Sequence, residues 1–133
     1  MANAYPPLIA ALCEPACYPH PVKRVTVLET HISWVLLAGR YAYKIKKPVN
    51  LGFLDFSQLS QRHFYCQEEI RLNRRLAPGI YLKVTAIGGN PAQPLINAEP
   101  AFEFAVKMRR FATGKLLDTL LTRGKSLPII LTA

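Results

Sequence analysis

YAYKIKKPVNLGFLDFS, residues 41–57, runs from a strand through a loop to the threshold of a helix. Tyr41, Tyr43 and Ile45 alternate with Ala42, Lys44 and Lys46, the period of two that sends successive side chains to opposite faces of a sheet. Pro48 ends the strand because it has no N–H to give a neighbour. In the loop, Phe53, Leu54 and Phe56 are expected to pack, and Ser57 is the expected N-cap of the following helix.

Upstream, Val25 to Glu29 and Ile32 to Ala38 are rich in β-branched and aromatic residues around the polar turn Glu-Thr-His, which predicts a hairpin. Gly39-Arg40 makes the tight turn into the third strand. Downstream, Gln58 to Leu76 lacks Gly and Pro, and Leu59, Phe64, Ile70, Leu72 and Leu76 recur at helical intervals until Pro78-Gly79. Tyr81 to Ile87 reads as a strand, Gly88 to Pro100 as a surface loop, and Phe102 to Phe111 as a strand with Phe102, Phe104, Val106 and Met108 on one face. Leu116 to Leu121 starts a short helix. The order strand, strand, strand, helix, strand, strand predicts an α+β fold: an antiparallel sheet of about five strands with one long crossing helix.

The length of 133 residues fits one small domain, and 50% apolar against 19% charged residues predicts folding. Residues 1–21 form a Pro-rich lead-in whose LIAALC stretch reads as a short helix, residues 22–111 the sheet and helix, and residues 112–133 the start of a second lobe. No stretch approaches the roughly 18 apolar residues that span a bilayer, so no membrane partner is expected. Cys13, Cys17 and Cys66 lack disulfide-framework spacing, which suits a reducing cytoplasm. Cys13, Cys17 and His20 lack the fourth ligand and tight knuckle of a zinc site, so no metal site is expected. Seventeen Lys and Arg against 8 Asp and Glu give +9, which favours anionic partners.

Kinase-type nucleotide binding requires a strand lysine for the phosphates, a helix carboxylate to hold that lysine, and a backbone segment for the adenine edge. Lys44 in AYKIKKPV and the Glu68-Glu69 pair in CQEEIRLNRRL occur in that order. The strings ETHISWVLLAG, AYKIKKPVNLGFLDFS, EEIRLNRRLAPGIYL and FAVKMRRF resemble those of bacterial aminoglycoside-phosphotransferase-like proteins, which are often joined to a downstream P-loop ATPase domain. The resemblance runs from about Tyr18 to Leu121. It implies a protein-kinase-like N-terminal lobe that binds ATP with Mg²⁺, in a family that transfers phosphoryl groups to a hydroxyl, with a C-terminal lobe or P-loop ATPase domain as partner.

By that resemblance Lys44 pairs the nucleotide phosphates, with Lys46 on the same face as the alternative. Glu69, with Leu72 and Leu76 at i+3 and i+7 along the inward stripe of the helix, is the chosen lysine partner, and Glu68, with Leu72 at i+4, is close behind. Thr30 and Ser33 fall in the phosphate-covering turn, where a plain hairpin is the competing reading, and His31 beside Trp34 reads as structural. Met108, Arg109 and Arg110 fall at the hinge-like strand that takes adenine, where Met108 also reads as a core residue. Nothing after Phe111 resembles the catalytic Asp or the metal-holding Asn and Asp of the second lobe, and Asp118 lies in a helical pattern. No catalytic residue is therefore assigned, and the lobe alone is expected to be inactive. A competing reading is a non-catalytic module whose Arg62, Arg71, Arg74 and Arg75, with Lys23, Lys46 and Lys47, grip nucleic acid or an acidic protein. The absence of aromatic residues among these cations disfavours nucleic acid.

Overall fold

The computed structural model describes residues 5–110. A short helix α1 (Pro7–Ala11) and a 3₁₀ turn (Pro15–Cys17) precede three strands, β1 (Val25–Glu29), β2 (Ser33–Ala38) and β3 (Tyr41–Lys46). The long helix α2 (Leu59–Leu76) leads to β4 (Tyr81–Asn90), β5 (Gln93–Ile96) and β6 (Glu103–Arg109). All strands join one antiparallel sheet in the order β1-β2-β3-β6-β4-β5, giving an α+β architecture with six strands and one main helix.

The alternation along β3 divides the core. Tyr43 and Ile45 join Tyr18, Trp34, Leu36 and the α1 residues Ile9 and Leu12 on one face. Ala42 joins Val35, Cys66, Tyr81, Val106 and Met108 on the other, beneath α2. A third cluster, Ile32, Leu54 and Phe56, anchors the loop between β3 and α2.

Four expectations change. The stretch from Gly88 to Pro100 is not simply a surface loop: β4 continues to Asn90 and β5 turns back along it. The Asn90 side-chain oxygen accepts the N–H groups of Ala92 and Gln93, so a side chain builds a turn inside what composition marks as loop. Ser57 is not the cap of α2; Gln58 is, with a reciprocal box to Gln61, while the Ser57 hydroxyl donates to Asp55. Phe102 precedes β6 and packs on the α1 side, away from Phe104, Val106 and Met108. Phe53 is exposed in the loop while Leu54 and Phe56 pack, and Phe64 and Leu76 are exposed because the buried stripe of α2 is instead Cys66, Glu69 and Asn73. The expected helix from Leu116 to Leu121, Asp118 and the second-lobe start over residues 112–133 lie outside the described residues.

Candidate functional site

The strand period places Ala42, Lys44 and Lys46 on the α2 side of β3. Lys44 lies opposite Val35 of β2 and Val106 of β6, and Lys46 opposite Ser33. Both lysines are buried. Glu69, midway along α2 and 0% exposed, receives both: Lys44 Nζ donates to Oε2 at 2.8 Å and Lys46 Nζ to Oε1 at 2.8 Å. Two lysines thus share one carboxylate in a site closed to bulk water.

Taking each ion out of water costs several kcal/mol, so these charges persist only because each oxygen of Glu69 has an ammonium partner. Burial pushes the Lys44 ammonium below its ordinary pKa, against the opposing pull of Glu69. For Glu69, burial acts to raise the carboxyl, yet Lys44 and Lys46 together hold it below its ordinary value. Burial pushes the neighbouring Cys66 thiol up to about 12, so it stays protonated and packs as a small apolar group. Lys46 Nζ also lies 5.3 Å from the centre of the Phe56 ring, which ties the loop cluster to the charged cluster.

Glu68 faces away and binds Arg71 on the solvent side of α2, so the geometry joins Lys44 to Glu69 rather than to its neighbour. Thr30 Oγ1 accepts the N–H groups of Ile32 and Ser33, fixing the β1–β2 turn. Ser33 Oγ is fully buried beside Lys46 and has no hydrogen-bond partner among the described residues. Met108 is buried under α2, the Arg109 N–H donates to the Ile80 carbonyl at 3.0 Å, and the Arg110 N–H to the Arg40 carbonyl at 2.9 Å. These two N–H groups are spent inside the fold, which removes them as free donors for an adenine edge.

The basic surface expected on α2 is largely consumed by pairing. Arg62 Nε meets both carboxylate oxygens of Glu103 at 3.1 and 3.0 Å, Arg71 meets Glu68, and Arg74 donates to the carbonyls of Tyr81 and Leu82. Lys46 is buried on Glu69, and Lys47 binds Glu29 beside the Trp34 ring. Cys13 and Cys17 donate to backbone carbonyls, and among the described residues no three His, Cys, Asp or Glu side chains converge as metal ligands. Among the described residues no helix is long and apolar enough to cross a membrane.

Sequence reasoning missed the sharing of Glu69 by both lysines, although their i, i+2 spacing already placed them on one face. It also missed Asn73, whose side-chain Nδ2 is buried one helical turn beyond Glu69 without a partner among the described residues. An Asn in a polar, Arg-rich helix carries no signal of burial.

Uncharacterized protein Rv2004c of Mycobacterium tuberculosis and uncharacterized protein Mb2027c of Mycobacterium bovis are similar to this chain. Each is 37% identical over 114 residues, covering 81% of this chain and 21% of the relative. The chain therefore spans about a fifth of the length of these relatives. No protein-family model and no solved structure matches the chain.

Proposed function

We propose that this chain is the nucleotide-gripping lobe of a kinase-like, ATP-dependent phosphotransferase of the aminoglycoside-phosphotransferase-like kind, with the catalytic lobe supplied by sequence beyond it. The observation that carries the reading is the buried Lys44–Glu69 pair, which joins the third strand to the crossing helix. Kinase-type phosphoryl transfer uses a strand lysine held by a helix glutamate in this relation.

The donor set suits an anionic ligand, and because Lys44, Lys46 and Ser33 are all buried, phosphate would reach them by displacing the packing that covers them. Two ammonium groups face one carboxylate, and the unpartnered Ser33 hydroxyl lies on the same face. ATP with Mg²⁺ would supply the γ-phosphoryl group. Lys44 would hold phosphate oxygens, Glu69 would fix the ammonium, and Ser33 would donate a hydrogen bond to phosphate. Adenine would contact main-chain groups around Met108, Arg109 and Arg110 other than the N–H groups of Arg109 and Arg110, which are engaged.

A thermal-shift titration with Mg·ATP tests this. Wild type is expected to gain stability with ligand concentration. Lys44→Met should abolish the gain, and Ser33→Ala, which removes a hydroxyl without a partner, should weaken it while leaving the ligand-free Tm unchanged. A ligand-induced shift of equal size in all three proteins would sink the assignment.

A further inference from the structure

We infer that the chain carries a second anion site, remote from Lys44, that takes a compact polyanion bearing two or more phosphate groups. A cleft of about 610 Å³ opens where the β2–β3 turn meets the lead-in, lined by His20, Lys23, Arg24, Arg40, Tyr41 and Arg110 among others. Four of these side chains are cationic and none of the lining residues is acidic. Among the described residues, Lys23, Arg24 and Arg40 enter no ion pair. An adjoining cleft shares Gly39, Arg40 and Arg110.

The frame that holds these charges together is closely packed. Gly39 has φ +63°, and a Cβ there would lie 2.5 Å from the Pro21 carbonyl oxygen, so the turn and the lead-in are packed backbone to backbone. The Arg110 N–H donates to the Arg40 carbonyl at 2.9 Å, and His20 Nε2 lies 2.7 Å from the Tyr43 hydroxyl. Like charges gathered without a counterion repel one another, and a multivalent anion relieves that cost.

Shape and stacking select the ligand. The volume lies within the roughly 300–1,000 Å³ of small-molecule sites. Single-stranded nucleic acid needs an extended basic groove with open aromatic faces. Tyr41 offers no open face, because Lys107 Nζ lies 4.1 Å from its ring centre and His20 packs against it at 4.9 Å. Arginine guanidinium groups suit phosphate oxygens through paired N–H donors. The cleft is separate from the first site: Tyr41 is three residues from Lys44, about 10 Å along the strand, and points to the opposite face.

Isothermal titration of the full chain with inorganic tripolyphosphate tests the site. The double variant Arg24→Gln/Arg40→Gln, both exposed positions, should lose affinity by about tenfold or more, roughly the loss of one or two charge-assisted contacts. Arg75→Gln removes an equally exposed charge from α2 and should leave affinity within about twofold. The inference is overturned if wild type does not bind tripolyphosphate or if Arg75→Gln weakens binding as much as the double variant. Tighter binding of a single-stranded dodecanucleotide, lost in the double variant, would also overturn it in favour of a nucleic-acid surface.

Discussion

On the α2 side of β3, Lys44 and Lys46 are 1% and 2% exposed and share Glu69, whereas in the turn just before that strand Arg40, with Lys23 and Arg24, is exposed and has no carboxylate partner among the described residues. Four residues, from Arg40 in the turn to Lys44 on β3, separate a charge cluster that the fold has dehydrated and paired from one it has left open. The difference shows where net charge carries information. Most of the basic residues on α2 are balanced by Glu68, Glu103 and carbonyl groups, while a group of cations without ion pairs among the described residues gathers around a tight turn.

Breaking the buried cluster should have the largest effect. Glu69→Ala leaves two lysines under α2 without their anion, and a loss of about 3–5 kcal/mol in urea unfolding is expected, the usual cost of orphaning a buried charge. At the open end, Gly39→Ala meets both a positive φ and the Pro21 carbonyl, and about 1–3 kcal/mol is expected from the same measurement. The two losses have different origins, so salt should modulate neither strongly in the first case nor at all in the second.

Acid sharpens the comparison. Glu69 titrates below its ordinary value of 4.5 in the folded chain, so the unfolded chain binds protons more readily in that window. Its contribution is complete above the unfolded value and is lost as pH falls through the lower folded one. The stability gap between wild type and Glu69→Gln should therefore narrow as unfolding is measured at successively lower pH below 4.5, and a constant gap would contradict the pairing. The smallest effect belongs to Glu68→Gln, which removes a partner of exposed Arg71 and should leave the urea midpoint unchanged.

Much of this arrangement was legible in the sequence because period two along residues 41–46 fixes which side chains share a face. The bounds of β1 and, to within one residue, those of β2, β3 and α2 followed from that alternation, from Gly39 and from the Pro78-Gly79 stop. The pairing of Lys44 with Glu69 rather than Glu68 was favoured by the position of Glu69 relative to Leu72 and Leu76. The structure reaches the same pairing by a different stripe, since Leu76 is exposed and Asn73 is buried. Polar residues that face the core defeat hydrophobic periodicity, which is why Asn73 and the Arg62–Glu103 pair were not seen. The β4–β5 hairpin was lost for a related reason: Gly88, Gly89, Asn90 and Pro91 read as loop, whereas the Asn90 side chain organises them into a turn. The basic cleft could not be read at all, because Lys23, Arg40 and Arg110 are far apart in sequence and meet only once the sheet has formed.

The nucleotide reading is tested most directly by labelling lysines with an ATP-derived acyl phosphate, which transfers its acyl group to an amine near the bound phosphates, and mapping the products by mass spectrometry. The account predicts modification at Lys44 that excess Mg·ATP suppresses and that Ser33→Ala diminishes. Labelling at exposed lysines outside both sites, such as Lys83, with none at Lys44 that Mg·ATP suppresses, would contradict it.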